Sequence, residues 1–147
     1  IYVYMDLGDI SLSKIPSLKV ESVEISPIFP AKLNVYSRNP NGIAYLSNPT
    51  NKELSNVKLS AYIRKFMDFP SETESFNLKA GASEVPVQFL TQINASTLSL
   101  SEDTSVQMQI SLSWDENGNR NTLVYNLQKN GDDLGRFCDA FVFHFCK

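Results

Sequence analysis

Few side chains in this sequence could do chemistry, and each has a simpler use. The one histidine, His144, stands between phenylalanines in AFVFHFC. That is the setting of a structural imidazole, and no second histidine exists to share a metal with it. Cys138 and Cys146 lie eight positions apart, a spacing that fits no zinc pattern. Along a strand this separation is about 26 Å, whereas a disulfide needs Cα atoms within about 7 Å. The two pair with each other only if the segment folds back on itself. Otherwise they are buried free thiols, or one of them bonds to another chain. Serines are numerous, but there is no GxSxG elbow, and nothing in the sequence sets a serine beside His144 for a triad. Asp115, Asn117 and Asn119 alternate oxygen ligands in DENGN. A calcium loop wants its glycine later than Gly118 and a distal glutamate, so a plain hairpin is expected. Glu102-Asp103 and Asp132-Asp133 could gather around a cation, or they are solvated loop charge. Asn94-Ala95-Ser96 is a glycosylation sequon, while Asn48-Pro49-Thr50 is blocked by its proline. The expectation is a protein that is not an enzyme, with no catalytic set, no cofactor and no metal site.

The elements that would hold these residues read as strands. In ELSNVKLSAYIRKFMDFP, Val57, Leu59, Ala61 and Ile63 alternate with Lys58, Ser60, Tyr62 and Arg64. Period two marks a strand with one face on a core and one in water. Around it lie Leu18 to Ser26, Gly42 to Asn48, Ser71 to Leu78, Val85 to Phe89, Ser105 to Trp114 and Thr122 to Leu127. In Leu18 to Ser26 the parity slips: Leu18 and Val20 share one face, Val23 and Ile25 the other, which predicts a bulge near Glu21-Ser22. Ala31 to Ser37 reads as a short strand or an edge. Thr91 to Ser101 is weakly patterned, with Leu98 and Leu100 placed to cover one end. Turns are signalled by Asn39-Pro40-Asn41-Gly42, Pro49-Thr50-Asn51, Lys79-Ala80-Gly81-Ala82 and the Asn117-Gly118 pair. About eight to ten short strands at this spacing predict an all-β fold, an antiparallel Ig-like or fibronectin-like β-sandwich.

Bulk properties narrow the class. A chain of 147 residues predicts a single domain, 1–147, able to bury a core. Thirteen basic and sixteen acidic residues are scattered and give a net charge of −3. No basic stripe offers a footprint for nucleic acid. No apolar run approaches the ~20 residues that span a bilayer, so no transmembrane segment is expected. The chain begins at Ile1 rather than Met, compatible with removal of a leader or with trimming.

The terminal segments, 1–7 and 137–147, are strand-like and oddly apolar. Ile1, Val3, Met5 and Leu7 share one face of the first. In the last, Phe137, Phe141, Phe143 and Phe145 oppose Cys138, Ala140, Val142, His144 and Cys146. A strand apolar on both faces calls for burial on both sides. It either completes its own sandwich or adds to the open edge of a neighbour. Ile1, Val3, Met5, Leu7, Phe141, Phe143 and Phe145 are therefore the candidate assembly-strand residues under the second alternative, and Cys138 and Cys146 are candidates for a disulfide if the segment folds back or meets another chain.

The run VKLSAYIRKFMDFPSETESFNLKAGASEVPVQFL, followed by LSLSEDTSVQMQISLSW, resembles an Ig-like β-sandwich module of bacterial exported proteins, of the kind found beside transglutaminase-like or caspase-like domains. The likeness runs from Val20 to Asn126 and is most specific over Tyr62 to Pro70 and Leu98 to Val106. The family pattern continues into a tryptophan-aspartate segment, where this chain has Asn130-Gly131-Asp132-Asp133. The resemblance implies an accessory domain at the cell surface, in the periplasm or outside the cell, and carries over no catalytic residue. The leading expectation is thus a non-enzymatic structural or interaction domain of a surface assembly, a filament joined by strand addition. Its partners would be its own copies or another surface protein. The alternative is a carbohydrate- or peptide-binding module of a larger secreted protein, with Tyr36, Tyr45, Tyr62 and Trp114 as a stacking platform.

Overall fold

A computed structural model of the chain describes residues 17–26, 28–101, 104–127 and 142–143. Antiparallel strands dominate it, as the period-two patterning predicts. A three-stranded sheet has the order β1 (Lys19–Ile25), β2 (Gly42–Ser47), β6 (Val85–Phe89). A larger sheet has the order β4 (Ser71–Glu72), β3 (Leu54–Ile63), β8 (Met108–Glu116), β9 (Asn119–Leu127). β5 (Phe76–Leu78) also pairs with β3, beside its first half, while β4 takes the second half. Between them Thr73 stands in for a strand residue: its N–H donates to Leu59 O at 2.9 Å, and its Oγ1 accepts from Leu59 N at 3.0 Å. A separate two-residue ribbon pairs β7 (Thr104–Ser105) with β10 (Val142–Phe143).

The inward faces of the two sheets make one core. β3 contributes Val57, Leu59, Ala61 and Ile63, and β8 contributes Met108, Ile110, Leu112 and Trp114. Opposite them lie Val20 and Val23 of β1, Ala44 and Leu46 of β2, and Phe89 of β6. The predicted bulge in β1 is present as a register shift between Val20 and Ser22. It has a use: by resetting the parity it brings Leu18, Val20 and Val23 all into the core, with Ile25 packed against it. A second bulge breaks β3 at Asn56, whose φ is +50°. Leu54 and Val57 are consequently both buried, so the alternation is clean only from Val57 onward.

Two loop expectations need correction. Ala31 to Ser37 is not a strand. A 3-10 turn at Pro30–Lys32 leads into α1 (Leu33–Tyr36). Proline is tolerated where a helix begins, because its missing N–H would have no partner there. Ser37 Oγ then donates to Asn34 O, and Asn39 Nδ2 to Val35 O, which satisfies carbonyls at the far end. Tyr36 is buried, and its hydroxyl accepts from Phe29 N. In Thr91 to Ser101 the chain forms a 3-10 helix, Ala95–Ser99, with Asn94 as its N-cap. Leu98 there is 57% exposed and covers nothing, while Leu100 packs against the core.

Candidate functional site

What this fold presents to a partner is sheet edges and outer sheet faces, and the edges differ sharply. β6 carries Pro86, which cannot donate to a further strand. β1 is bulged and bears Lys19, Glu21 and Glu24. The edge beyond β3 is broken into two short pieces, β4 and β5. Each of these devices blunts an edge against pairing with another chain. β9 has no proline, bulge or break, and its one charge, Arg120, stands next to the turn. It is nine residues long and pairs in unbroken register with β8, from Met108↔Leu127 to Glu116↔Asn119. From Asn121 to Leu127 it holds no proline, glycine or charge. Among the described residues its second side is unpaired.

β9 is also held firmly. Asn117 and Gly118 both adopt positive φ, +52° and +78°, as a tight type I′ hairpin requires. Next to that turn Asn56, Asp115 and Arg120 form a cluster. Asp115 accepts from Asn56 Nδ2 at 2.7 Å and from Arg120 Nη1 at 3.0 Å. Arg120 also donates to Asn56 O and Ser113 Oγ. The Asn56 amide first, then Arg120, hold the Asp115 carboxyl below its ordinary range. The bulge at Asn56 is what aims its side chain here. The suspected calcium loop is therefore a hairpin whose acid is committed to Asn56 and Arg120. Farther along, the Tyr125 phenol is pushed up by burial, against the lowering effect of a backbone hydrogen bond with Val20. That bond ties the edge strand of one sheet to the edge strand of the other.

The outer face of the larger sheet carries a shallow depression. Tyr62, Gln109 and Asn126 stand in register across β3, β8 and β9. Arg64 and Gln107 follow on the same side, and the five residues line a cavity of about 170 Å³. Gln109 Nε2 donates weakly to Asn126 Oδ1 at 3.4 Å. Among the described residues Arg64 makes no ion pair or hydrogen bond, and no carboxylate lines the depression. A larger cavity of about 370 Å³ lies against the outer face of the other sheet, lined by Glu24, Ile25, Ser26, Pro40, Asn41, Ile43 and Gln88. There Asn41 Oδ1 accepts from Thr91 Oγ1, while its buried Nδ2 has no partner among the described residues.

The four rings offered as a stacking platform in the alternative reading lie in the core or on sheet faces and are not brought together. Tyr36 and Trp114 are buried in the core. Tyr45 and Tyr62 lie half-buried on the outer faces of different sheets. Of the four, Tyr62 lines the depression on the larger sheet. Asn94 of the sequon is already engaged: its Nδ2 donates to Lys65 O and Asp68 Oδ1, and its Oδ1 accepts from Ser96 N. Ile1, Val3, Met5, Leu7, Phe141, Phe145, Cys138, Cys146 and His144 lie outside the described residues, as do Glu102-Asp103 and Asp132-Asp133. Of the last apolar segment only the backbone of Val142 and Phe143 is described, opposite Ser105 and Thr104. Sequence reasoning did not single out β9 as a regular edge. The signal was there in NTLVYNL, an uncharged and β-prone stretch with no breaker. No helix among the described residues is long and apolar enough to cross a membrane.

No protein-family model matches the chain, and no curated protein is significantly similar to it.

Proposed function

We propose that this chain is a non-enzymatic interaction domain of a cell-surface or extracellular assembly, joined to its neighbours by strand addition at β9. The observation that carries this reading is the contrast among edges. Among the described residues of the two main sheets, three edges are interrupted by a proline, a bulge or a break, and one nine-residue edge is regular. Main-chain hydrogen bonding along such an edge gives affinity, and alternating side chains give register. The incoming strand is apolar at every second residue, as Ile1, Val3, Met5 and Leu7 are, or Phe141, Phe143 and Phe145. Export, and kinship with the Ig-like modules of exported bacterial proteins, belong to the same proposal.

The test is solution mass by light scattering over a concentration series, with negative-stain microscopy of the same samples. Wild type is expected to form ordered particles. Thr122→Lys with Val124→Lys, both exposed on β9, is expected to leave a folded monomer, because charge on an edge opposes pairing. Removal of 1–7 or of 137–147 is expected to do the same. A wild type that stays monomeric, or a doubly charged β9 that assembles unchanged, refutes the reading. A second reading, a carbohydrate- or peptide-binding accessory module, is favoured by the depression at Tyr62.

A further inference from the structure

The depression at Tyr62 brings together three kinds of group. Tyr62 offers a half-buried aromatic ring on a sheet face. Gln107, Gln109 and Asn126 offer amides, each both donor and acceptor. Arg64 offers a guanidinium with no partner and no lining carboxylate among the described residues. The last point matters because the other described arginine on this sheet, Arg120, is fully occupied by Asp115, Asn56 and Ser113.

We infer that this depression binds one uronic-acid unit of an anionic saccharide, with its carboxylate on Arg64, its ring on Tyr62 and its hydroxyls on the three amides. The inference rests on the binding-module reading above and names its ligand. A volume of about 170 Å³ falls below the ~300–1,000 Å³ of drug-sized pockets, so it admits one ring and leaves the rest of a polymer outside. Amides grouped about an aromatic ring suit a ligand that is hydroxylated on its edges and apolar on its faces. A guanidinium matches a carboxylate through two parallel N–H donors. A peptide fits less well, because extended peptides are held by strand edges, and this site lies on the face of the sheet.

The probe is trigalacturonate, with its fully methyl-esterified form as a neutral control of the same shape. Binding is read from amide chemical shifts of the labelled chain, beginning with Tyr62, Gln109 and Asn126. Trigalacturonate is expected to bind about tenfold more tightly than the ester, the worth of one charge-assisted pair at an open site. Added salt should shrink that ratio. Arg64→Gln is expected to abolish the preference while weak binding of both sugars persists. Tyr62→Ala is expected to weaken both. Amide shifts remote from the site report that each variant remains folded. Equal binding of acid and ester at Tyr62 overturns the anionic assignment and leaves the module reading standing. No binding of either sugar, nor of a peptide with a free terminal carboxylate, overturns both. Shifts produced only by a peptide with a free terminal carboxylate overturn the saccharide assignment.

Discussion

Gly42 offers the sharpest test of the packing described above. It faces Phe89 across the β2–β6 pair, and the phenyl ring lies directly over it. A Cβ at position 42 would sit 2.7 Å from Phe89 Cε1 and closer still to Cζ and Cε2. Gly42 does not hold a positive φ, so alanine would meet no backbone strain there. The whole penalty falls on the ring, which is only 2% exposed and has to leave a close-packed core. Overpacking of this kind costs about 1–3 kcal/mol. The stiffer unfolded chain of the alanine variant returns about 0.4–1 kcal/mol. Gly42→Ala is therefore expected to cost about 1–2 kcal/mol, or roughly 2–8 °C in Tm at this size. Urea unfolding followed by the fluorescence of Trp114, the single tryptophan and a buried one, measures this directly. Phe89→Ala alone is expected to cost about 3–5 kcal/mol. In that background the obstacle is gone, and Gly42→Ala becomes neutral or slightly stabilising. The reasoning is refuted if Gly42→Ala costs the same with and without the ring, because the cycle isolates their interaction.

The remaining predictions concern polar groups. Asn48 is fully buried; its Nδ2 donates to Lys52 O, Leu78 O and Lys79 O, and its Oδ1 accepts from Thr50 N and Thr50 Oγ1. Asn48→Ala strands these groups and is expected to cost about 3 kcal/mol by the same unfolding assay. Asn48→Asp should cost more at neutral pH, since a carboxylate would then face carbonyl oxygens. The depressed Asp115 pKa stabilises the fold above the ordinary carboxylate value of 3.8, and that contribution is lost as pH falls through the lowered folded value. In a carboxyl-carbon titration Asn56→Ala is expected to move the Asp115 midpoint upward; an unchanged midpoint would show that the amide is not the cause. For Tyr125 the sign reverses. Its raised pKa gives stability that is full below the ordinary 10.0 and lost as pH rises through the folded value. Tyr125→Phe should remove this alkaline limb and cost about 1 kcal/mol at neutral pH through the lost hydrogen bond; an identical alkaline profile in the variant would count against it.

The amino-acid order by itself determined which residues face inward from Val57 to Ile63, but not the bulge at Asn56 that buries Leu54 as well. Val57 to Arg64 alternates because side chains on a strand point to opposite faces, and that needs no knowledge of a partner. The β1 bulge was legible for the same reason: a slip in parity leaves a visible mark, and the structure places the bulge where the parity slips. Asn117-Gly118 announced its hairpin because few residues tolerate positive φ at adjacent positions. Helix α1 was not legible, because a single turn is too short to show a 3.6-residue period. Its stability comes instead from the burial of Tyr36 and from carbonyls satisfied by Ser37 and Asn39. Tertiary structure alone decided which strand became an open edge. β9 and the second half of β3 have similar sequences in this respect, alternating and free of breakers, yet among the described residues β3 has neighbours on both sides and β9 on one. It also decided that Tyr62 meets Gln109 and Asn126 while Tyr36 and Trp114 go to the core. Those meetings depend on register between strands distant in sequence. Register is fixed by how the whole set of apolar faces closes on one core, and no single stretch of sequence contains that information.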